Sequence, residues 1–153
     1  MSDHVYKSHN KTLLLYHLVF PTKYCRKVIT SEVEETLKQL CIGISQRYEI
    51  KILELGSDED HVHFLIQSVP NTSITRIVTV LKSITAQEIY KTHQEVKILL
   101  WGGNFWTSGY YANTVGSHGM EEVIQNYVKE HGGKYKKYIV SNYHFSTTFK
   151  LRF

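Results

Sequence analysis

Two histidines separated by one apolar residue, His61-Val62-His63, are the sharpest local signal in the chain. On a β-strand, residues i and i+2 project from one face about 7 Å apart. Both imidazoles can then converge on one cation while Val62 points into the opposite, packed face. Such triplets also arise by chance, so the neighbourhood matters. Immediately upstream stands the acid-rich turn Asp58-Glu59-Asp60, and far downstream Tyr127 and His131 are spaced one helical turn apart. That second pair has two readings. Either Tyr127 is a core tyrosine on an apolar helix face, with His131 favoured at the C-terminus by the helix dipole, or the phenol is a nucleophile and its neighbour on the next turn reaches a metal.

The nucleophile reading has a definite chemistry. A DNA phosphodiester resists attack because its anionic oxygens repel nucleophiles. A divalent cation held by two histidines and a third group withdraws that charge and orients the phosphate for in-line displacement. A tyrosine hydroxyl, with an ordinary pKa of about 10, attacks well only once a metal or base helps remove its proton. Attack produces a covalent phosphotyrosine and a free 3′-hydroxyl, and the new ester retains enough energy for another 3′-hydroxyl to reverse the step. Imidazole ligands with an oxygen-rich substrate suit Mg²⁺ or Mn²⁺.

Elements must hold these groups in place. The 153 residues, 42% hydrophobic and 12% aromatic, read as one domain over 1–153, with a core at about 12–131 and a basic, aromatic tail at 132–153. Residues 12–20 (TLLLYHLVF) read as a buried strand ending at Pro21, with His17 packed or hydrogen-bonded. Ser31 and Glu34 form a capping box, and Val33, Leu37, Leu40, Cys41, Ile44 and Tyr48 follow at helical spacing, which predicts a helix over 32–48. Strands at 49–56 and 61–68 form a hairpin. Ser73 caps a helix carrying Ile74, Ile77, Val78, Leu81 and Ile84 on one stripe, and an aromatic, Thr-rich strand follows at 104–115. Met120, Val123, Ile124, Tyr127, Val128 and His131 mark a last helix, stopped by Gly132 and Gly133. The first six elements fit an α+β, ferredoxin-like or RRM-like split βαβ fold: an antiparallel sheet in strand order 4-1-3-2, with helices on one face.

Charge points the same way. The net charge is +4, and eight of the fourteen acids lie between Glu32 and Asp60. Basic clusters at Lys23, Arg26 and Lys27 and at Lys134, Lys136 and Lys137 are interleaved with Tyr24, Tyr135 and Tyr138. This suits a polyanion whose bases can stack, or else a solvated basic face. Trp101 and Trp106 fill the core or a dimer seam, or one of them stacks on a base. No apolar run is long enough to span a bilayer and no signal peptide is visible, so the expectation is a cytoplasmic protein off the membrane, with Cys25 and Cys41 as reduced thiols.

Four blocks in order and spacing, YHLVFPTKYCRKV at 16–28, DEDHVHFLI at 58–66, LWGGNFWTSGYYANTVG at 100–116 and EEVIQNYVKEH at 121–131, resemble the small single-tyrosine HUH transposases (TnpA) of bacterial and archaeal insertion sequences, the IS200-like family. The resemblance implies His61 and His63 as metal ligands and Tyr127 as the nucleophile that forms a 5′-phosphotyrosine. It also implies a homodimer with joined sheets and active sites shared in trans, and action on single-stranded DNA with hairpins near the ends of the element. The family places Gln four residues after the tyrosine, where this chain has His131. An imidazole can still ligate there, and Asp58 or Asp60 is an alternative third ligand. Asp60 otherwise orients an imidazole N–H or is a plain turn carboxylate. Two further functions use the same features: a domesticated nuclease acting on repeated palindromes, and an RRM-like single-strand-binding module without catalysis. An RNP-type run is missing, which weighs against the module.

Overall fold

The computed structural model describes residues 4–7, 9–115 and 136–139, the last four by their backbone. The helix expected around Tyr127 and His131 lies outside these residues, as does Lys134. In chain order the elements are β1 (Val5–Lys7), β2 (Asn10–Thr12), β3 (Leu14–Pro21), α1 (Ser31–Arg47), β4 (Lys51–Ser57), β5 (His61–Ser68), α2 (Ile74–Thr92), α3 (Gln94–Leu99), β6 (Tyr111–Thr114) and β7 (Lys136–Ile139). A single 3-10 turn at Lys23–Cys25 follows β3.

β3, β4, β5, β6 and β7 form one antiparallel sheet in the order β6-β3-β5-β4-β7. Its first four positions are the expected 4-1-3-2 arrangement, and the split βαβ, α+β reading is correct. β7 extends the sheet beyond β4 from within the tail, where no element was expected. β1 and β2 make a separate small hairpin.

Strand register divides the sheet into two faces. On one, Phe20 lies opposite Val62, Leu18 opposite Phe64 and Tyr16 opposite Ile66. These side chains join Leu55 of β4, Val33, Leu37, Cys41 and Ile44 of α1, and Ile77, Leu81 and Ile89 of α2 in the main core. Fully burying an aliphatic or Phe side chain contributes about 1.5–3 kcal/mol, so this layer carries most of the driving force. The other face holds a small apolar cluster of Leu15, Leu65 and Val115, together with polar groups.

Several local expectations change. The cap of α1 is Thr30, whose hydroxyl accepts the Val33 N–H, and not Ser31. Glu34, expected to complete a capping box, is buried and accepts a 2.6 Å hydrogen bond from the Ser57 hydroxyl, tying α1 to β4. The cap of α2 is Ser73, as expected. The strand expected at 104–115 shrinks to 111–114; the aromatic stretch before it packs inward and pairs only through a single antiparallel bridge between Trp106 and Thr22. Phe105 and Trp106 are buried, and the Trp106 N–H donates to Thr85 of α2 at 2.9 Å. The Lys82 ammonium binds the carbonyls of Thr107, Ser108 and Gly109, so those acceptors are satisfied without a strand partner, while the Thr107 N–H donates to the Pro21 carbonyl. Among the described residues no helix is long and apolar enough to cross a membrane.

Candidate active site

The alternation of β5 sends Val62 and Phe64 into the core and His61 and His63 to the opposite face, as the spacing required. Their ring centroids are 5.3 Å apart. The hairpin turn before them is clamped from behind. The Asp58 N–H donates to the His61 carbonyl, and the Asp58 carboxylate accepts the Glu59 N–H. The backbone N–H of buried Thr22 donates to the Asp60 carbonyl at 2.8 Å, its hydroxyl lies between the Arg26 and Asp60 carbonyls at 2.7 and 3.0 Å, and the Ile29 N–H donates to the Glu59 carbonyl. The loop after β3 therefore fixes where the histidine pair begins.

Each imidazole has a partner on Nδ1. For His61 it is the Asp60 carboxylate, at 2.6 Å. For His63 it is Nε2 of His17 on β3, at 2.8 Å, with the two rings stacked at 5.0 Å. His17 lies diagonally across the strand pair, opposite Leu65, while His63 lies opposite Val19. Burial lowers the His17 pKa, which favours the neutral ring, whose Nε2 can accept a hydrogen bond from a His63 Nδ1–H. With Nδ1 so occupied, Nε2 is the atom each histidine would offer to a cation, and a metal-binding histidine is commonly held by such a contact on its other nitrogen. The donor set thus fits a divalent ion on two of its ligands. Among the described residues no group of three or more His, Cys, Asp or Glu could hold a metal by itself.

The other expected site residues fall as follows. Asp60 contacts His61, whereas the Asp58 carboxylate stays in the turn. Tyr127 and His131 lie outside the described residues. Lys23, Arg26 and Lys27 sit on the loop that clamps the turn, with Lys27 ion-paired to Glu59 at 3.2 Å. Lys136 and Lys137 lie on β7 in register with Ser57 and Gly56, and Gly56 is itself opposite His63. Sequence reasoning read His17 as packed or hydrogen-bonded without identifying its partner. A histidine inside an otherwise apolar strand was the available signal; only strand register shows that it meets His63.

The model of the family described as "Transposase IS200 like" matches residues 10–131. The chain belongs to the IS200-like transposases. It is 31% identical over 121 residues to the ISDra2 transposase TnpA of Deinococcus radiodurans, covering 79% of this chain and 86% of that one. It is 28% identical over 129 residues to the transposase for insertion sequence element IS200 of Salmonella typhimurium, covering 84% of each. Among solved structures it is similar to a transposase crystal structure from Deinococcus radiodurans R1, at TM-score 0.69 and 29% identity, over 82% of this chain and 96% of that one. A REP-associated tyrosine transposase bound to a REP hairpin shares the fold at TM-score 0.56 and 12% identity, over 87% and 76% of the two chains. Like its relatives, this IS200-like chain is a DNA-processing enzyme of transposition.

Proposed function

We propose that the chain cleaves and rejoins single-stranded DNA at the ends of an insertion sequence through a covalent tyrosine intermediate. The observation that carries this reading is the pair of imidazoles on one face of β5, each engaged on Nδ1, in a chain of the IS200-like family. His61 and His63 would hold Mg²⁺ or Mn²⁺, with His131 completing the ligand set. A divalent ion bound there withdraws charge from the phosphate and eases loss of the phenolic proton. Asp60 and His17 keep the two rings from rotating. The Tyr127 oxygen attacks phosphorus, the Tyr–O–P bond forms as the P–O3′ bond breaks, and the phenolic proton ends on the leaving 3′-oxygen. The product is a 5′-phosphotyrosine, which a second 3′-hydroxyl reverses.

Lys23, Arg26, Lys27, Lys134, Lys136 and Lys137 would neutralise the backbone of the strand, with hairpins near the element ends as the recognised form. Among the described residues β6 is an edge of the sheet, which a second copy could extend, and this supports a homodimer; the tyrosine helix of one subunit would then serve the histidines of the other. The test is a labelled hairpin-bearing single strand incubated with protein and Mn²⁺ and run on a denaturing gel. The expected result is a covalent protein–DNA band, lost in Tyr127→Phe, in His61→Ala and in EDTA. A band that persists in Tyr127→Phe removes that residue from the mechanism, and binding with no band under any condition supports the non-catalytic module.

A further inference from the structure

Outside the histidine pair, one cluster stands apart in geometry. Among the described residues three non-glycine positions have positive φ: Tyr24 at 59°, Cys25 at 50° and Trp101 at 53°. Two of these carry aromatic rings that meet each other, 5.9 Å apart between centroids. Both rings face solvent, Tyr24 at 66% and Trp101 at 71% exposure. Trp101 ends α3 in a Schellman arrangement: its N–H donates to the Ile98 carbonyl and the Gly102 N–H to the Lys97 carbonyl. The left-handed position of that motif usually holds glycine, because a side chain there is strained. Here a tryptophan occupies it, with glycines at the next two positions.

The surroundings make the display rigid. Leu100 on one side and Phe105 on the other are buried, and the Tyr90 hydroxyl donates to the Gly103 carbonyl at 2.6 Å. The Arg26 guanidinium lies 4.0 Å from the Trp101 ring centroid and donates to the Leu99 carbonyl. Lys23 lies 5.2 Å over Tyr24. The same loop, through Thr22 and Ile29, grips the turn that precedes His61. Strained, exposed aromatics backed by fixed cations form a surface on which a flat, electron-rich ring next to a negative charge can settle.

The geometry points to a stacking platform, Trp101 with Tyr24, Arg26 and Lys23, that takes an unpaired base and its adjacent phosphate from the single-stranded DNA substrate. It rests on the reading of the chain as a single-strand-processing transposase and adds where the strand is gripped. The platform is indifferent to base identity, since every base has a π face, and it holds the strand beside the histidine turn. Its cations favour nucleic acid as the occupant over an apolar partner surface.

The test is fluorescence anisotropy of a labelled single-stranded dT oligonucleotide in EDTA, which reads binding without cleavage. Trp101→Ala should weaken binding on the order of ten-fold, while Trp101→Phe, which keeps a ring, should recover most of it. Trp101→Asn suits the left-handed backbone better and should melt no lower than the wild type while still binding weakly, a combination that a purely structural tryptophan would not give. In a hairpin-bearing strand, which fixes the register, replacing single unpaired bases by abasic sites should reproduce the loss at one position in the wild type and add nothing in Trp101→Ala. Unchanged affinity in Trp101→Ala overturns the platform. So does loss of self-association in that variant by sedimentation with unaltered DNA affinity, which would assign the surface to a second copy. Because no cleavage is measured, a wild-type protein that fails to form the gel adduct bears on the proposed chemistry and leaves this result standing.

Discussion

The two faces of the sheet are built from the same strands and differ in almost everything else. On the helix-covered face, Phe20, Val62, Leu18 and Phe64 interlock with α1 and α2 and are fully buried. On the opposite face, one residue out of step, stand His17, His61 and His63, with buried Glu54 and Gln67 nearby in the strand register. The first face supplies stability through area removed from water. The second spends buried space on polar groups that must be hydrogen-bonded to be tolerated, and the contacts of His17 and Asp60 also fix the rings of His63 and His61. A period of two lets one strand do both: β5 anchors its histidines rigidly because Val62 between them and Phe64 after them are locked in the core.

Exchanging the faces by mutation should separate the two roles. His61→Ala should bring the covalent adduct below detection while leaving the urea midpoint nearly unchanged; an adduct that survives would detach His61 from the chemistry. Phe64→Ala, adjacent to His63, should do the reverse in kind, costing about 3–5 kcal/mol of stability in urea unfolding. Adduct formation should then fall only in proportion to the unfolded fraction. If Phe64→Ala abolishes the adduct under conditions where it is fully folded, the division between the faces is less clean than the register suggests.

Smaller effects probe how the rings are held. Asp60→Asn retains an acceptor at His61 Nδ1 but loses its charge, and should weaken Mn²⁺ binding by about 10- to 100-fold, measured by calorimetry. An unchanged affinity would make Asp60 a turn residue only. The smallest effect concerns pH. Burial lowers the folded-state pKa of His17, so the native state binds fewer protons than the unfolded chain. That contribution is fully present above the ordinary histidine value of about 6.5 and is lost as pH falls below it. Thermal melts of His17→Gln should therefore decline less between neutral and mildly acidic pH than those of the wild type. Parallel curves would show that His17 carries no such linkage.

Much of this architecture was legible in residue pattern. Val33, Leu37, Cys41 and Ile44 announce α1, the alternation through Val62 and Phe64 announces β5, and the strand order came by analogy, from matching the succession of elements to a split βαβ pattern. The misreadings share a cause. Thr30 in place of Ser31 as cap, and Glu34 turned inward to Ser57, depend on a neighbour from another element, which local spacing does not contain. The stretch at 104–110 has strand-like composition, yet Trp106 finds Thr85 and Lys82 satisfies the carbonyls, so tertiary contacts override propensity. Trp101 and Trp106 are five positions apart and were read together; one is core and the other exposed.

By itself, the sequence determined the two-residue spacing that puts His61 and His63 on one face, the amphipathic helices, and membership of a family through four ordered blocks, because each of these is written in local periodicity or in contiguous residues. Tertiary structure alone decided that His17 is the residue behind His63, that the loop after β3 grips the Asp60 turn, and that Trp101 stands out in a left-handed bend beside Arg26. Those facts depend on register and packing between segments tens of residues apart, where a slip of one position would turn every side chain to the other face.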